Sequence, residues 1–136
     1  MLEPKTKRCT GNLIALAFLC AFSYPISALA DEWKSCDVYN SVASQREAAI
    51  AFGKMKKRIS FFKKPDFASI TIFLNGETFG SADLISTGRG VYGDGKPYLG
   101  YADKTNTMIV QEFENSKNII VTTRGDVDFT MFAQCN

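Results

Sequence analysis

A chain without histidine lacks the commonest general base, the Ser-His and Cys-His nucleophile pairs and every imidazole metal ligand. Chemistry here must rest on carboxylates, cysteines, tyrosines and lysines. Paired carboxylates such as Glu77 with Asp83, or Asp94 with Asp103, are the form a hydrolase would need. There is no Cys-x-x-Cys, and two thiolates without histidine make half a zinc site, so no metal and no cofactor are expected. Gly88-Arg89-Gly90-Val91-Tyr92-Gly93 spells a dinucleotide fingerprint, but Asp94-Gly95-Lys96-Pro97 follows where a helix must open, so no nucleotide cofactor is expected either.

The densest functional signal is the stretch Ile85 to Tyr101, with five glycines and three tyrosines. Glycine permits positive φ, and tyrosine offers a broad rigid face with a polar tip, a pairing suited to recognition rather than catalysis. The expectation is a binding loop carrying Tyr92, Asp94, Tyr98 and Tyr101, with at least one tyrosine in the core. Asp94 sits in a tight turn and lacks the alternating acidic ligands of a calcium site.

The elements that must hold this stretch follow an export leader. Lys5, Lys7 and Arg8 precede the apolar run Leu13–Phe22, and Ala28-Leu29-Ala30 is a small-x-small cleavage site, so residues 1–30 read as a signal peptide cleaved after Ala30. The run is shorter than the roughly 20 apolar residues that span a bilayer, and no later stretch approaches it. Removing Glu3, Lys5, Lys7 and Arg8 takes the 16 basic and 14 acidic residues to 13 and 13, leaving residues 31–136 neutral. Cys9 and Cys20 leave with the leader. Cys36 and Cys135 remain, and in an oxidising compartment they are expected to form one disulfide closing a single domain, periplasmic or secreted.

Ser44-Gln45-Arg46-Glu47 matches a capping box, and Ala48, Phe52, Met55, Ile59 and Phe62 recur at helical spacing. An N-terminal amphipathic helix is expected from Gln45 to about Arg58, with Ile59 to Phe62 ambiguous between its last turn and a strand. Arg46, Lys54, Lys56, Lys57, Arg58, Lys63 and Lys64 against Glu47 make this the basic part of a neutral protein. That is either a solvated face or a surface for anionic lipid or lipopolysaccharide. Asn75-Gly76 predicts a type I′ hairpin, and short strands alternate with turns to Cys135. The fold expected is α+β and mostly antiparallel, a small β-barrel or strongly curved sheet of about six to seven strands with the helix packed on it.

Ile85-Ser86, Tyr92, Asp94-Gly95, Tyr98, Tyr101 and Lys104, with a hairpin before them and a cysteine near each end, resemble the C-type lysozyme inhibitors of bacterial envelopes. That membrane-bound and periplasmic family consists of small exported β-barrels. The resemblance implies that Thr87, Gly88 and Tyr92 form an insertion loop and Lys104 the basic residue that engages catalytic carboxylates in a lysozyme cleft. This chain departs from the pattern by one extra residue between Thr87-Gly88 and Tyr92, by Thr105 in place of a glycine, and by the Gln45–Arg58 segment. Three readings follow: a non-catalytic module that binds a lysozyme-like enzyme, an anionic-envelope binder, or a carboxylate-based hydrolase.

Overall fold

Asn75 and Gly76 take positive φ, 51° and 85°, and turn the chain tightly between two strands, as that residue pair predicts. A computed structural model, which describes residues 32–136, continues this hairpin into a closed barrel. In chain order its elements are β1 (Glu32–Ala43), α1 (Arg46–Gly53), β2 (Lys57–Lys63), β3 (Phe67–Leu74), β4 (Glu77–Val91), β5 (Pro97–Ala102), β6 (Met108–Phe113), β7 (Asn118–Thr123) and β8 (Phe129–Cys135). Each strand pairs antiparallel with its neighbours in sequence, and β8 returns to β1. The expected leader, its cleavage after Ala30, Cys9 and Cys20 lie outside the described residues.

Among the described residues the strands number eight rather than six to seven. β1 precedes every element the sequence marked, and β2 takes Lys57 and Arg58, expected as the helix end, together with Ile59 to Phe62, left open between helix and strand. In β2, Ile59 and Phe61 alternate inward and meet Ile72 and Ile70 of β3 across the ladder. Ile59 and Phe62, three apart as on one helical face, fall on opposite faces of this strand, and pairing on both edges decides for the strand.

The helix lies between β1 and β2, not at the N-terminus, and it ends at Gly53. Phe52 is its one buried residue, packed 4.3 Å from the Phe129 ring and 6.0 Å from Phe79 over one end of the barrel. The capping box does not form. Gln45 is the N-cap without a side-chain bond, while the Ser44 hydroxyl accepts the Asp128 N–H at 2.9 Å and ties the helix entry to the β7–β8 turn. Lys57 Nζ instead serves the other end of α1, donating to the Phe52 and Met55 carbonyls at 2.9 and 2.8 Å. Burial there pushes its pKa down.

Inward rows fill the barrel: Tyr101, Val110, Val121 and Met131 across β5 to β8, and Cys36, Ile59 and Ile72 across β1 to β3. Cys36 and Cys135 are cross-strand partners and form the expected disulfide. The bond therefore lies where the first strand meets the last. Among the described residues no helix is long and apolar enough to cross a membrane.

Candidate functional site

The glycine-rich stretch is strand rather than loop over most of its length. β4 pairs with β3 from Glu77 to Ile85, then continues to Val91 paired only with β5. The β4–β5 hairpin thus runs past the start of β3, and among the described residues no strand pairs with the β3-side edge of Ser86–Val91. Only Tyr92–Lys96 turns. The Tyr92 N–H donates to the Lys96 carbonyl at 2.9 Å, and the Gly95 N–H to the Tyr92 carbonyl at 2.8 Å. Asp94 accepts the Lys96 N–H at 3.1 Å, the behaviour of an Asx turn.

Of the glycines in these strands, Gly90 and Gly100 are covered by neighbouring side chains. Opposite Tyr101 and Gly100 the register slips at Thr87, a β-bulge in which Gly88 takes φ +98° and donates its N–H to the Ser86 hydroxyl at 3.3 Å. Thr87 lays its hydroxyl over Gly100, where a Cβ would collide with it, and Tyr98 lays its ring across Gly90. Gly100→Ala is accordingly expected to cost about 1–3 kcal/mol in urea unfolding through overpacking. The double change T87A/G100A should recover most of that loss, and no recovery would show that the clash lies elsewhere.

The tyrosines separate into two environments. Tyr92 and Tyr98 both pack edge-on against Phe113 on the outer wall, with centroids at 5.4 and 5.9 Å, and Tyr92 remains 40% exposed. Tyr101 lies inside the barrel, edge-on to Phe61 at 5.5 Å, and is withdrawn from any direct partner contact. Lys104 is exposed on the β5–β6 turn. That turn is rigid: the Asp103 carboxylate accepts the Thr107 and Met108 N–H groups at 2.8 and 3.1 Å and the Thr107 hydroxyl at 2.5 Å. Partial burial opposes ionisation of Asp103, but these hydrogen bonds outweigh it and hold its pKa below the ordinary value.

The hairpin does not gather all the expected residues. Tyr92 and Asp94 stand at one end of β5 and Lys104 at the other, about 20 Å apart at the strand rise of roughly 3.3 Å per residue. Thr87 and Gly88 lie nearer, since the bulge sits opposite Tyr101 and Gly100, three and four residues from Lys104, on the order of 10–13 Å. The carboxylate pairs fare similarly: Glu77 and Asp83 are six residues apart on one strand, and β5 separates Asp94 from Asp103. Among the described residues no three His, Cys, Asp or Glu side chains converge to hold a metal.

The basic cluster is not a helical face. Lys54 caps α1, Lys57 folds onto the helix carbonyls, Lys56 lies just before β2 and Arg58 near its start. Lys64 stands 5.6 and 5.4 Å over the Phe62 and Phe67 rings. Lys63 turns toward Glu112, a residue the sequence did not single out.

Glu112 is the one buried charged residue of the described chain. Its carboxylate accepts Lys34 Nζ at 2.5 Å and Lys63 Nζ at 2.9 and 3.2 Å. Burial alone would raise the Glu112 pKa, but the two ammonium groups lower it below the ordinary glutamate value. Lys63 is raised correspondingly: burial opposes its charge, and Glu112 outweighs burial. Burial, then the Glu112 charge, pushes the Tyr101 phenol up as well. The available signal was the alternation Met108, Val110, Glu112, which points a carboxylate into the barrel and so demands partners.

No family model matches this sequence, and neither curated proteins nor solved structures give a match.

Proposed function

We propose that the mature chain is an exported binding module whose β4–β5 hairpin enters the cleft of a lysozyme-like glycosidase and blocks it. The observation that carries the reading is the β4 edge, Ser86 to Val91, which runs beyond β3 with a bulge at Thr87–Gly88 and is backed by the closed barrel. An edge of this kind offers backbone groups and small side chains to a narrow cleft without ordering a flexible loop on binding, so little conformational entropy is lost. Lys104, on its rigid turn beyond Tyr101, supplies a cation for catalytic carboxylates. Tyr92 extends the contact from the hairpin tip, while Tyr101 acts from within by fixing the strand.

The purified protein, residues 31–136, is expected to slow a C-type lysozyme at micromolar concentration. Lys104→Glu should weaken inhibition by about a hundredfold, in line with the roughly 2–5 kcal/mol lost when one partner of a buried charge pair is removed. Tyr92→Ala should weaken it less, with an unchanged far-UV circular dichroism spectrum. Wild-type protein that leaves lysozyme activity untouched at micromolar concentration would overturn the reading.

A further inference from the structure

β1 and β2 diverge after the pair Asp37–Arg58. β1 runs on to Ala43 against β8 alone, while β2 is preceded by the chain leaving α1. The divergence opens a groove of about 680 Å³, with Lys56 and Arg58 on its β2 side and Tyr39, Asn40 and Ser41 on its β1 side. A smaller groove of about 300 Å³ shares the same two cations.

Both cations are carried by fixed backbone. The Lys56 N–H donates to the Asn75 side chain at 2.9 Å and its carbonyl accepts the Asn75 N–H at 2.8 Å, so the hairpin turn anchors it. Arg58 is held by the Ser35 hydroxyl and lies 3.7 Å from Asp37, whose side chain is 87% exposed. Two residues apart on one face, Lys56 and Arg58 present their charges roughly 7 Å apart at the root. Lys57 between them points away to the helix carbonyls.

We propose that this groove binds a phosphorylated saccharide. A phosphomonoester suits the Arg58 fork and the Lys56 point charge, and the exposed Asp37 can swing aside for it. The Tyr39 ring, 64% exposed, is a platform for the sugar, and the outward Asn40 amide, whose oxygen already accepts the Ser41 N–H at 2.9 Å, turns its NH2 to the sugar hydroxyls. The groove volume matches a one- or two-sugar ligand within the usual range for small-molecule sites. The same headgroup occurs free or lipid-linked, and its chemistry is common to both. Tyr39 also borders the outer groove lined by Tyr92, Asp94 and Lys96 of the hairpin turn, but Lys56 and Arg58 do not line that groove, so the saccharide site stands whether or not lysozyme is inhibited.

The test titrates ¹⁵N-labelled protein with diglucosamine bisphosphate, with unphosphorylated diglucosamine and inorganic phosphate alongside. Amide shifts should cluster at Tyr39–Ser41 and Lys56–Arg58, with affinity at least about tenfold above either control, the equivalent of one charge-assisted pair. K56E/R58E should abolish them with the far-UV circular dichroism spectrum and the emission of Trp33, the single tryptophan, unchanged, and with only a small drop in the urea midpoint because the new carboxylate at position 58 then faces Asp37 across the ladder. Phosphatidylglycerol vesicles with and without the lipid-linked bisphosphate identify the source: displacement from the doped vesicles by free bisphosphate supports one saccharide site. Equal binding to plain phosphatidylglycerol vesicles, affinity no better than inorganic phosphate, or shifts that survive K56E/R58E would each overturn it.

Discussion

Glu112→Gln should lower the unfolding free energy by about 2–4 kcal/mol, among the largest effects available to a single substitution in this barrel. Breaking a buried ion pair by removing one partner typically costs about 3–5 kcal/mol, because the surviving charge is left desolvated. Here two ammonium groups survive, but the Lys34 and Lys63 side chains keep 19% and 23% of their exposure, so water recovers part of the loss. The triple change K34M/E112L/K63M removes every charge together and is expected to be close to neutral. Urea midpoints decide between this account and one of mere packing, in which the triple variant would be the worse of the two.

The same cluster sets a pH window. Because the Glu112 pKa is depressed in the fold, its contribution is present above the ordinary glutamate value of 4.5 and is lost as pH falls through the lower, folded value. Because the Lys63 pKa is raised, its contribution is fully present below 10.5 and is lost as pH rises through the higher, folded value. Stability from these groups should therefore be flat between those limits. The gap between wild type and Glu112→Gln should shrink in acid, where the wild-type carboxylate is protonated too. A gap that stays constant from neutral pH to strong acid would show that Glu112 acts through shape rather than charge.

Local rules made the Asn75–Gly76 hairpin and the run of short strands and turns to Cys135 legible, because each is marked by turn residues beside alternating apolar ones. What misled was context. Ile59 and Phe62 sit at helical spacing, which leaves Ile59 to Phe62 open between helix and strand in isolation, and the strand is decided only once β1 and β3 flank them. Ser44 fits a cap until Asp128, distant in sequence, claims its hydroxyl. Glycines between Ile85 and Tyr101 read as a loop because nothing local says that Thr87 and Tyr98 will cover Gly100 and Gly90. The candidate site was visible in residue type and not in placement: the sequence distance between Tyr92 and Lys104 hides the fact that a whole strand holds them apart. Glu112 and the Lys56–Arg58 groove depend on partners from β1, which no short window contains.

Reducing the Cys36–Cys135 bond should cost about 4–5 kcal/mol, since it links residues 99 apart and its loss frees nearly the whole unfolded chain. For a domain whose total stability lies in the usual range of about 5–15 kcal/mol, that is a fall in melting temperature of roughly 20 °C or more. Reduction is a better probe than Cys→Ala, because both sulfurs are buried and truncation would add a cavity to the measurement. The fold should persist when the bond is cut. Six further residue pairs, from Asp37–Gln134 to Ala43–Phe129, still join β1 to β8, so near-UV circular dichroism at low temperature should be unchanged while the urea midpoint drops. An intact midpoint after reduction would mean that β1–β8 pairing alone defines the closed state and that the reduced unfolded chain is already compact. A lost near-UV signal would mean that the ladder cannot close without its covalent link. The expected result lies between these: a barrel whose shape is set by eight paired strands, and whose population is set by one bond between the first and the last.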